Sequence, residues 1–197
     1  MKRMNYFSVV ILFSIAYAGI LAGCSNTASG VIEEEVPYRS IKSTSGATAE
    51  GCYTIEIGES VNSGTIKRAL SFCLIKPDGE HCAFSIIRKT ENGKKKYQAL
   101  IAVGRQAVIP ETIYSSYSVT GTTGGCGRKY TLSDIKISSD AVPAADGYYY
   151  WSLLGTLSET AYEALKTQPN LTVGLSGKQT VLFTVPYDFL YGMSAYL

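Results

Sequence analysis

The sequence feature that constrains the fold most is the dipeptide Asn92-Gly93, which separates two stretches rich in alternating apolar residues. Asn and Gly both tolerate the positive φ angles of a type I′ turn, the usual two-residue connection of a β-hairpin. A two-residue loop sets Ile86 opposite Ala99 and gathers the apolar residues of both strands on one face. The same register sets Lys89 opposite Lys96, a repulsion that can persist only in water. The sequence therefore predicts a hairpin with one buried face.

Alternating or β-branched runs bounded by turn residues recur through the rest of the chain, and each predicts a strand. These runs span residues 53–57, 65–75, 82–89, 113–120, 129–137, 148–154, 171–175 and 181–185. One helix is expected, with Ser158 as its N-cap and Pro169 behind its end. About eight or nine short strands with one short helix predict an all-β fold, either an antiparallel sandwich or a partly open barrel.

The last two runs predict a hairpin whose register depends on its loop. A two-residue loop sets Val173 against a polar residue, whereas a three-residue loop over 176–178 sets it against Val181. A shift of one residue turns every side chain of a strand to the other face. The apolar pattern therefore favours the three-residue loop, with Gly177 in the left-handed conformation.

The first 23 residues have the three parts of a secretory signal. Lys2 and Arg3 give a positive end, residues 6–20 are almost wholly apolar, and small residues lead to Cys24. The segment Leu21–Cys24 resembles the lipobox of bacterial lipoproteins, in which the cysteine is lipidated and the chain is cut just before it. The alternatives are an ordinary signal peptide with a chance cysteine, or a membrane anchor, since about 19 apolar-leaning residues just span a bilayer.

The lipobox resemblance implies that residues 1–23 are removed and that a palmitate-type lipid on Cys24 holds the protein to a membrane. Ser25 stands where an Asp would resemble an inner-membrane retention signal, which favours the outer membrane and leaves open which face carries the protein. Residues 24–51 are rich in small and polar residues and predict a flexible tether. A single β-rich domain is expected over residues 52–197.

The charge of the chain excludes one class of partner. Removal of the leader leaves 174 residues, room for one domain with a core, with 16 basic and 16 acidic side chains. Because the formal net charge of this part is zero, the basic face that nucleic-acid binding needs is not expected.

Four cysteines remain once the lipobox cysteine carries lipid. An even number in an exported chain predicts two disulfides, with three possible connectivities. Residues 76–79 form a predicted turn, and Cys73 and Cys82 lie symmetrically about it. We therefore expect the pairs Cys73–Cys82 and Cys52–Cys126.

Catalytic groups are scarce in this sequence. His81 is the only histidine, so any Ser-His-Asp or Cys-His arrangement must use it, and an exposed turn histidine is the favoured interpretation. The cysteines lack the short Cys-x2–4-Cys spacing of zinc sites. No acidic pair suited to glycosidic chemistry stands out among the scattered carboxylates, which are Glu56, Glu80, Asp134 and Asp188. We expect no enzymatic activity, no metal and no cofactor.

Short pieces of the domain resemble the invasion-associated locus B family of secreted and periplasmic bacterial proteins. They are Leu70–Cys73, Glu80–Phe84, Gly125–Gly127, Leu165–Val173, Val181–Val185 and Gly192–Ala195. The tryptophan that the family has before its first cysteine is absent, and Met193 stands where an aromatic residue is expected. The resemblance implies an all-β, non-catalytic envelope protein tied to host interaction.

The surplus of tyrosines indicates recognition, because tyrosine gives rigid, amphipathic contact area. In an alternating strand, Tyr148 and Tyr150 share one face, and Tyr149 and Trp151 share the other. We expect Trp151 in the core and Tyr148 and Tyr150 exposed, as the binding pair for an unidentified protein partner. The predicted function is a lipid-anchored binding or host-interaction module. The alternatives are a structural subunit of an envelope complex, or a hydrolase or an inhibitor of host hydrolases.

Overall fold

The computed structural model describes residues 39–62, 64–106, 114–123, 126–137, 142–143 and 147–197. Its strands are β1 (Arg39–Thr48), β2 (Gly51–Asn62), β3 (Thr65–Ile75), β4 (His81–Glu91), β5 (Lys94–Arg105), β6 (Tyr114–Thr123), β7 (Cys126–Lys129), β8 (Ser133–Ile137), β9 (Val142–Pro143), β10 (Tyr149–Leu157), β11 (Leu171–Gly177) and β12 (Thr180–Val185). Its helices are α1 (Glu159–Lys166) and α2 (Tyr187–Tyr196). Neither of these two helices has the length and apolarity that a membrane crossing requires.

The strands form two antiparallel sheets that enclose one core. The large sheet has the order β1-β2-β3-β4-β5-β10-β8, with β9 also paired to β10, and the small sheet has the order β12-β11-β6-β7. One buried cluster takes side chains from both sheets and from both helices. The predicted all-β sandwich is confirmed, and the described strands do not close into a barrel.

The β4–β5 hairpin has the register that Asn92-Gly93 predicts. The φ angles of Asn92 and Gly93 are 49° and 75°, as a type I′ turn requires. Ile86 pairs with Ala99, and each is at most 1% exposed. Here the local turn chemistry decided the pairing of two long strands.

The turn between β3 and β4 includes one residue more than predicted. The Lys76 N–H donates to the Glu80 carbonyl over 2.9 Å, so these two residues close the hairpin. Gly79 has a φ of 85°, and its N–H donates to the Lys76 carbonyl over 3.0 Å. The Asp78 carboxylate accepts the N–H of Glu80 over 3.0 Å. A three-residue loop with glycine in the left-handed conformation is a common hairpin connection.

This longer turn overturns the predicted Cys73–Cys82 disulfide. It sets Leu74 opposite Cys82 and Cys73 opposite Ala83. Because successive side chains of a strand point to opposite faces, the two cysteines lie on opposite faces of the large sheet. Both are free thiols.

The predicted Cys52–Cys126 disulfide is also absent. Cys52 lies near the start of β2 in the large sheet, whereas Cys126 begins β7 at the edge of the small sheet. Both side chains are exposed, and both are free thiols. The two positions belong to different sheets, which the sequence spacing could not show.

The β11–β12 hairpin has a three-residue connection but a different register. Val173 pairs with Phe183 rather than with Val181, a shift of two residues. An even shift keeps the same side chains on the buried face, so the apolar pattern could not distinguish the two registers. The N–H of Gly177 donates to the Gln179 carbonyl over 2.8 Å, and Gly177 lacks the predicted positive φ.

Residues 39–48 form strand β1, although the sequence predicted a flexible tether as far as residue 51. The strand pairs with β2 along its whole length. All its residues are exposed except Gly46, which is half-buried. It therefore lacks the apolar alternation from which strands are predicted, and backbone pairing defines it. The ordered domain begins before residue 52, while Cys24 and the rest of residues 1–38 lie outside the described residues.

Of the strand predicted over residues 129–137, only residues 133–137 form a strand of their own, β8, while Lys129 is the last residue of β7 in the other sheet. The chain crosses the edge of the core between them, where Tyr130 and Leu132 are 5% and 3% exposed. The predicted run therefore covers the end of β7, the crossing between the sheets and the whole of β8.

The helices agree with prediction at α1 and differ from it at α2. Ser158 caps α1 as predicted, and its hydroxyl accepts the Ala161 N–H over 3.1 Å. Residues 187–196, for which the sequence predicts neither a strand nor a helix, fold as α2. This helix buries a set of residues against β3: Phe189, Leu190, Gly192 and Met193.

Candidate functional site

The predicted binding pair lies at the end of β10 that adjoins the β3–β4 turn. Tyr150 pairs with Gly104 of β5, and Gly104 pairs with His81 of β4, so the three form one row across the outer face of the large sheet. Trp151, the next residue, points into the core and is 2% exposed. The predicted division of this strand into two faces is confirmed.

His81 joins the two tyrosines into what we call the aromatic cluster: His81, Tyr148 and Tyr150. The His81 ring stacks on the Tyr148 ring, with centroids 3.9 Å apart and 12° between the planes. Nδ1 of His81 lies 2.8 Å from the Tyr150 hydroxyl. Gly104 makes room for this arrangement, because a Cβ there would overlap the Tyr150 ring.

The two tyrosines differ in accessibility. Tyr150 is 7% exposed, so the prediction that it is an exposed contact residue is wrong: its ring covers Gly104 and its hydroxyl bonds to His81. Tyr148 is half-buried, and Nε2 of the exposed Gln106 lies 3.3 Å from its hydroxyl. Tyr148 is therefore the accessible tyrosine of the cluster, and Tyr150 is a buried residue that holds His81 through its hydroxyl.

A charged network lies beside the cluster, on the side of the sheet that faces the core. The Glu80 side chain is 9% exposed and accepts from Nζ of Lys76 over 2.9 Å. Nε and Nη2 of Arg105 also donate to Glu80, over 2.9 and 2.6 Å. Arg105 Nη1 donates to the side-chain carbonyl of Gln179, in the β11–β12 loop. One buried carboxylate thus joins two cations, and both of these also reach the small sheet, Arg105 at Gln179 and Lys76 at the Leu182 carbonyl.

The network keeps both cations charged. Burial by itself lowers the pKa of Lys76, but the hydrogen bond to Glu80 and the neighbouring acidic groups outweigh burial and raise it. The pKa of Arg105 is raised by the same balance, in which the hydrogen bond to Glu80 opposes burial. Lys76 and Arg105 therefore stay protonated at physiological pH.

Cys82 and His81 are neighbours in sequence but do not form a catalytic pair. Cys82 points into the core and is 1% exposed, while His81 lies on the outer face. Burial raises the pKa of the Cys82 thiol to about 12, with a smaller contribution from Glu80, so the nucleophilic thiolate is scarce at neutral pH. The Tyr114 hydroxyl is buried nearby without a hydrogen-bond partner, and burial raises its pKa to about 12.

The carboxylates considered for acid–base chemistry lie on separate elements. Glu80 ends the β3–β4 turn, Glu56 lies on β2, Asp134 on β8 and Asp188 on α2. Within the described residues, no three side chains of the metal-binding types come together.

The sequence analysis did not predict the charged network, although the contact between Glu80 and Arg105 could have been predicted. The register predicted from Asn92-Gly93, continued by one pair beyond His81 and Gly104, sets Glu80 opposite Arg105. The meeting with Gln179 depends on how the two sheets pack, and no local pattern encodes that.

Comparisons of this chain with protein-family models, with curated proteins and with solved structures find no match. The resemblances to bacterial lipoproteins and to the invasion-associated locus B family therefore stay predictions from the sequence.

Proposed function

We propose that this protein is an exported, lipid-anchored bacterial envelope protein whose β-sandwich binds a protein partner without catalysis, through the surface around Tyr148. The observation that carries the binding part is the aromatic cluster, in which His81 stacks on Tyr148 at 3.9 Å and approaches the Tyr150 hydroxyl at 2.8 Å. The lipobox-like segment Leu21–Cys24 supports the proposed export and lipid anchoring.

The cluster suits recognition because its rings are held in place before a partner arrives. A side chain that is already fixed loses little conformational freedom on binding, and an aromatic ring brings a large contact area. The exposed Gln106 adds an amide group beside the Tyr148 hydroxyl. An aromatic contact with a rim of polar groups is the usual anatomy of a protein-binding surface.

A non-catalytic role agrees with the chemistry of the described residues. The Cys82 thiol is buried and neutral, His81 lies across the sheet from it, and Glu80 is neutralised by two cations. His81 is thus separated from the other two groups by the sheet, the Cys82 thiol is buried, and the Glu80 carboxylate is occupied by Lys76 and Arg105.

The lipid anchor is tested by labelling cells that express the full chain with a palmitate analogue. We expect label on the protein and its loss in the Cys24→Ala variant, with the labelled protein in the outer-membrane fraction. Equal labelling of the variant would remove the basis of the lipid anchor, without bearing on the binding surface.

The binding surface is tested by placing a photoreactive benzoylphenylalanine at position 148 of the full chain, in cells and with isolated host surface proteins. We expect a discrete crosslinked product that disappears when the unmodified wild-type protein competes. The matched control carries the same group in place of Tyr191, which is 63% exposed on α2. Equal products from both positions, or none from position 148, would refute a partner surface at the aromatic cluster.

A further inference from the structure

Among the described residues, the large sheet ends at β1 on one side and at β8 and the two-residue β9 on the other, and the small sheet ends at β12 and β7. An edge strand presents unpaired backbone N–H and C=O groups and can pair with another chain. Folded proteins block such edges with short strands, charges, irregular pairing or covering groups. The four edges of this protein differ in how far they are blocked.

The edge of β12 is covered by side chains from the large sheet. The Glu50 carboxylate accepts the Thr184 N–H over 2.9 Å and the Thr184 hydroxyl over 2.6 Å. Nζ of Lys76 donates to the Leu182 carbonyl over 3.2 Å. These bonds occupy groups to which another strand would have to pair.

The edges of β7 and β8 are short and charged. β7 has four residues, of which the last two are Arg128 and Lys129. β8 has five residues, a register shift against β10, and Asp134 with a positive φ of 48°. Neither strand offers a long, regular edge to a partner.

The edge of β1 is the exception. Its first half carries Arg39 and Lys42 and a register shift between Ser40 and Lys42. Its second half, residues 43–48, pairs with β2 in unbroken register and has the sequence Ser-Thr-Ser-Gly-Ala-Thr. This half has no charge, no proline and no bulge, and only Gly46 within it is even half-buried.

We propose that the segment 43–48 of β1 pairs antiparallel with the same segment of a second copy of this chain around a two-fold axis, with a central residue opposite its own counterpart, so that the two large sheets become continuous. Antiparallel self-pairing satisfies both copies with one segment, as an isologous interface requires. Ser and Thr pairs across antiparallel strands are favourable.

Two features favour a second copy over an unlike peptide. Strand-addition sites select peptides through pockets for alternate side chains, and residues 43–48 present only small side chains. Antiparallel self-pairing also carries the Arg39 and Lys42 residues of the two copies to opposite ends of the paired segment, where like charges do not meet. Because six residues form a small interface, the dimer is weak and reversible.

The first test is sedimentation of the full-length protein in detergent over a range of concentrations. We expect a monomer–dimer equilibrium whose dissociation constant rises about tenfold or more in the variant Ser43→Lys/Ser45→Lys, because each strand then carries two added like charges. The control, Ser115→Lys/Thr131→Lys, adds the same charge at exposed positions away from β1 and should dimerise as the wild type does. Mixing the lysine variant with Ser43→Glu/Ser45→Glu should restore association between unlike copies.

The second test keeps the proposal refutable if the lysine variant folds poorly. A photoreactive benzoylphenylalanine in place of Thr48 should give a crosslinked homodimer in cells, and the same group in place of Thr131 should not. A wild-type protein that sediments as a monomer at every concentration would overturn the proposal. So would a lysine variant that dimerises as the control does, or a position-48 crosslink only to another protein.

Discussion

An engineered disulfide between β3 and β4 tests the register that separates the structure from the sequence prediction. Cys73 stands opposite Ala83, and the hairpin is closed by the hydrogen bond from the Lys76 N–H to the Glu80 carbonyl. Antiparallel pairs alternate between hydrogen-bonded and non-hydrogen-bonded types, so counting outward from Lys76 makes Cys73 and Ala83 a non-hydrogen-bonded pair. The Cα atoms of such a pair lie about 4.5 Å apart, within the range that a disulfide bridges.

The variant Ala83→Cys should therefore form a disulfide with Cys73. Closing this short loop stabilises the folded state by about 2.8 kcal/mol in the loop-entropy account. For a domain of this size that corresponds to about 6–11 °C in melting temperature. The measurement is thermal unfolding of the oxidised and reduced full-length variant, with peptide mapping to locate the bond.

The matched control is Ser85→Cys, on the same face of β4 but two residues farther along, where Ser71 rather than a cysteine stands opposite. It should keep its thiol and show no difference between oxidised and reduced samples. If mapping instead finds Cys73 bonded to Cys82 in the wild-type protein, the register described above is wrong.

Three further predictions concern the core, the charged network and the buried thiol. Trp151→Ala should cost about 3–5 kcal/mol of unfolding free energy, whereas Tyr148→Ser should lower the melting temperature by only a few degrees; the reverse order would mean that β10 faces the other way. Glu80→Ala should lower the free energy of unfolding by about 2–3 kcal/mol in denaturant, because two cations lose their partner but can still reach water. The control Glu59→Ala, which removes the more exposed ion pair with Arg68, should lower it by less than about 1 kcal/mol. Equal losses would contradict a special role for Glu80. The raised pKa of Cys82, about 12 against an ordinary 9.0, means that the unfolded chain loses this proton first, so stability should fall as pH rises from 9 towards 12. In the Cys82→Ala variant the unfolding free energy should fall less between pH 9 and pH 12 than it does in the wild type. If the variant and the wild type show the same pH dependence, the thiol is not buried.

The sequence predicted those parts of the fold that a local turn or a strict alternation determines. Asn92-Gly93 gave the β4–β5 register without error, because only one loop length suits those two residues. Ser158 gave the start of α1 because N-cap chemistry is local. Both predictions succeeded for the same physical reason, because the residues that determine each structure are neighbours in the chain.

Prediction failed where two structures bury the same residues or where no side chain is buried at all. The register of β11 and β12 has two solutions that share one apolar face, and Val173 is buried in both. The β1 strand has an exposed sequence that a linker could equally carry, and its pairing is a property of the backbone. The helical ending of the chain was missed because its aromatic residues also favour strands.

The same limits explain what could be predicted of the candidate site. Alternation along the chain predicts which face Tyr148 and Tyr150 share. The burial of Tyr150, however, depends on Gly104, which lies opposite it on β5 and far from it in the sequence. His81 was interpreted as a turn residue because nothing local to it indicates a stacking partner 67 residues farther along the chain. A site assembled from β4, β5 and β10 becomes visible only once these strands are in register.

Lys76 connects the candidate site to the architecture of the sandwich. Its ammonium group holds Glu80 in the network beside the aromatic cluster and also donates to the Leu182 carbonyl on β12. Arg105 spans the same gap by reaching Gln179. The aromatic cluster therefore lies at the end of the sandwich where Lys76 and Arg105 connect the two sheets. These connections hold in place the strands that carry the rings. A change at Lys76 should consequently lower both stability and partner binding. A change at Tyr148, which contacts His81 and Gln106 at the surface, should lower binding while costing only a few degrees in melting temperature.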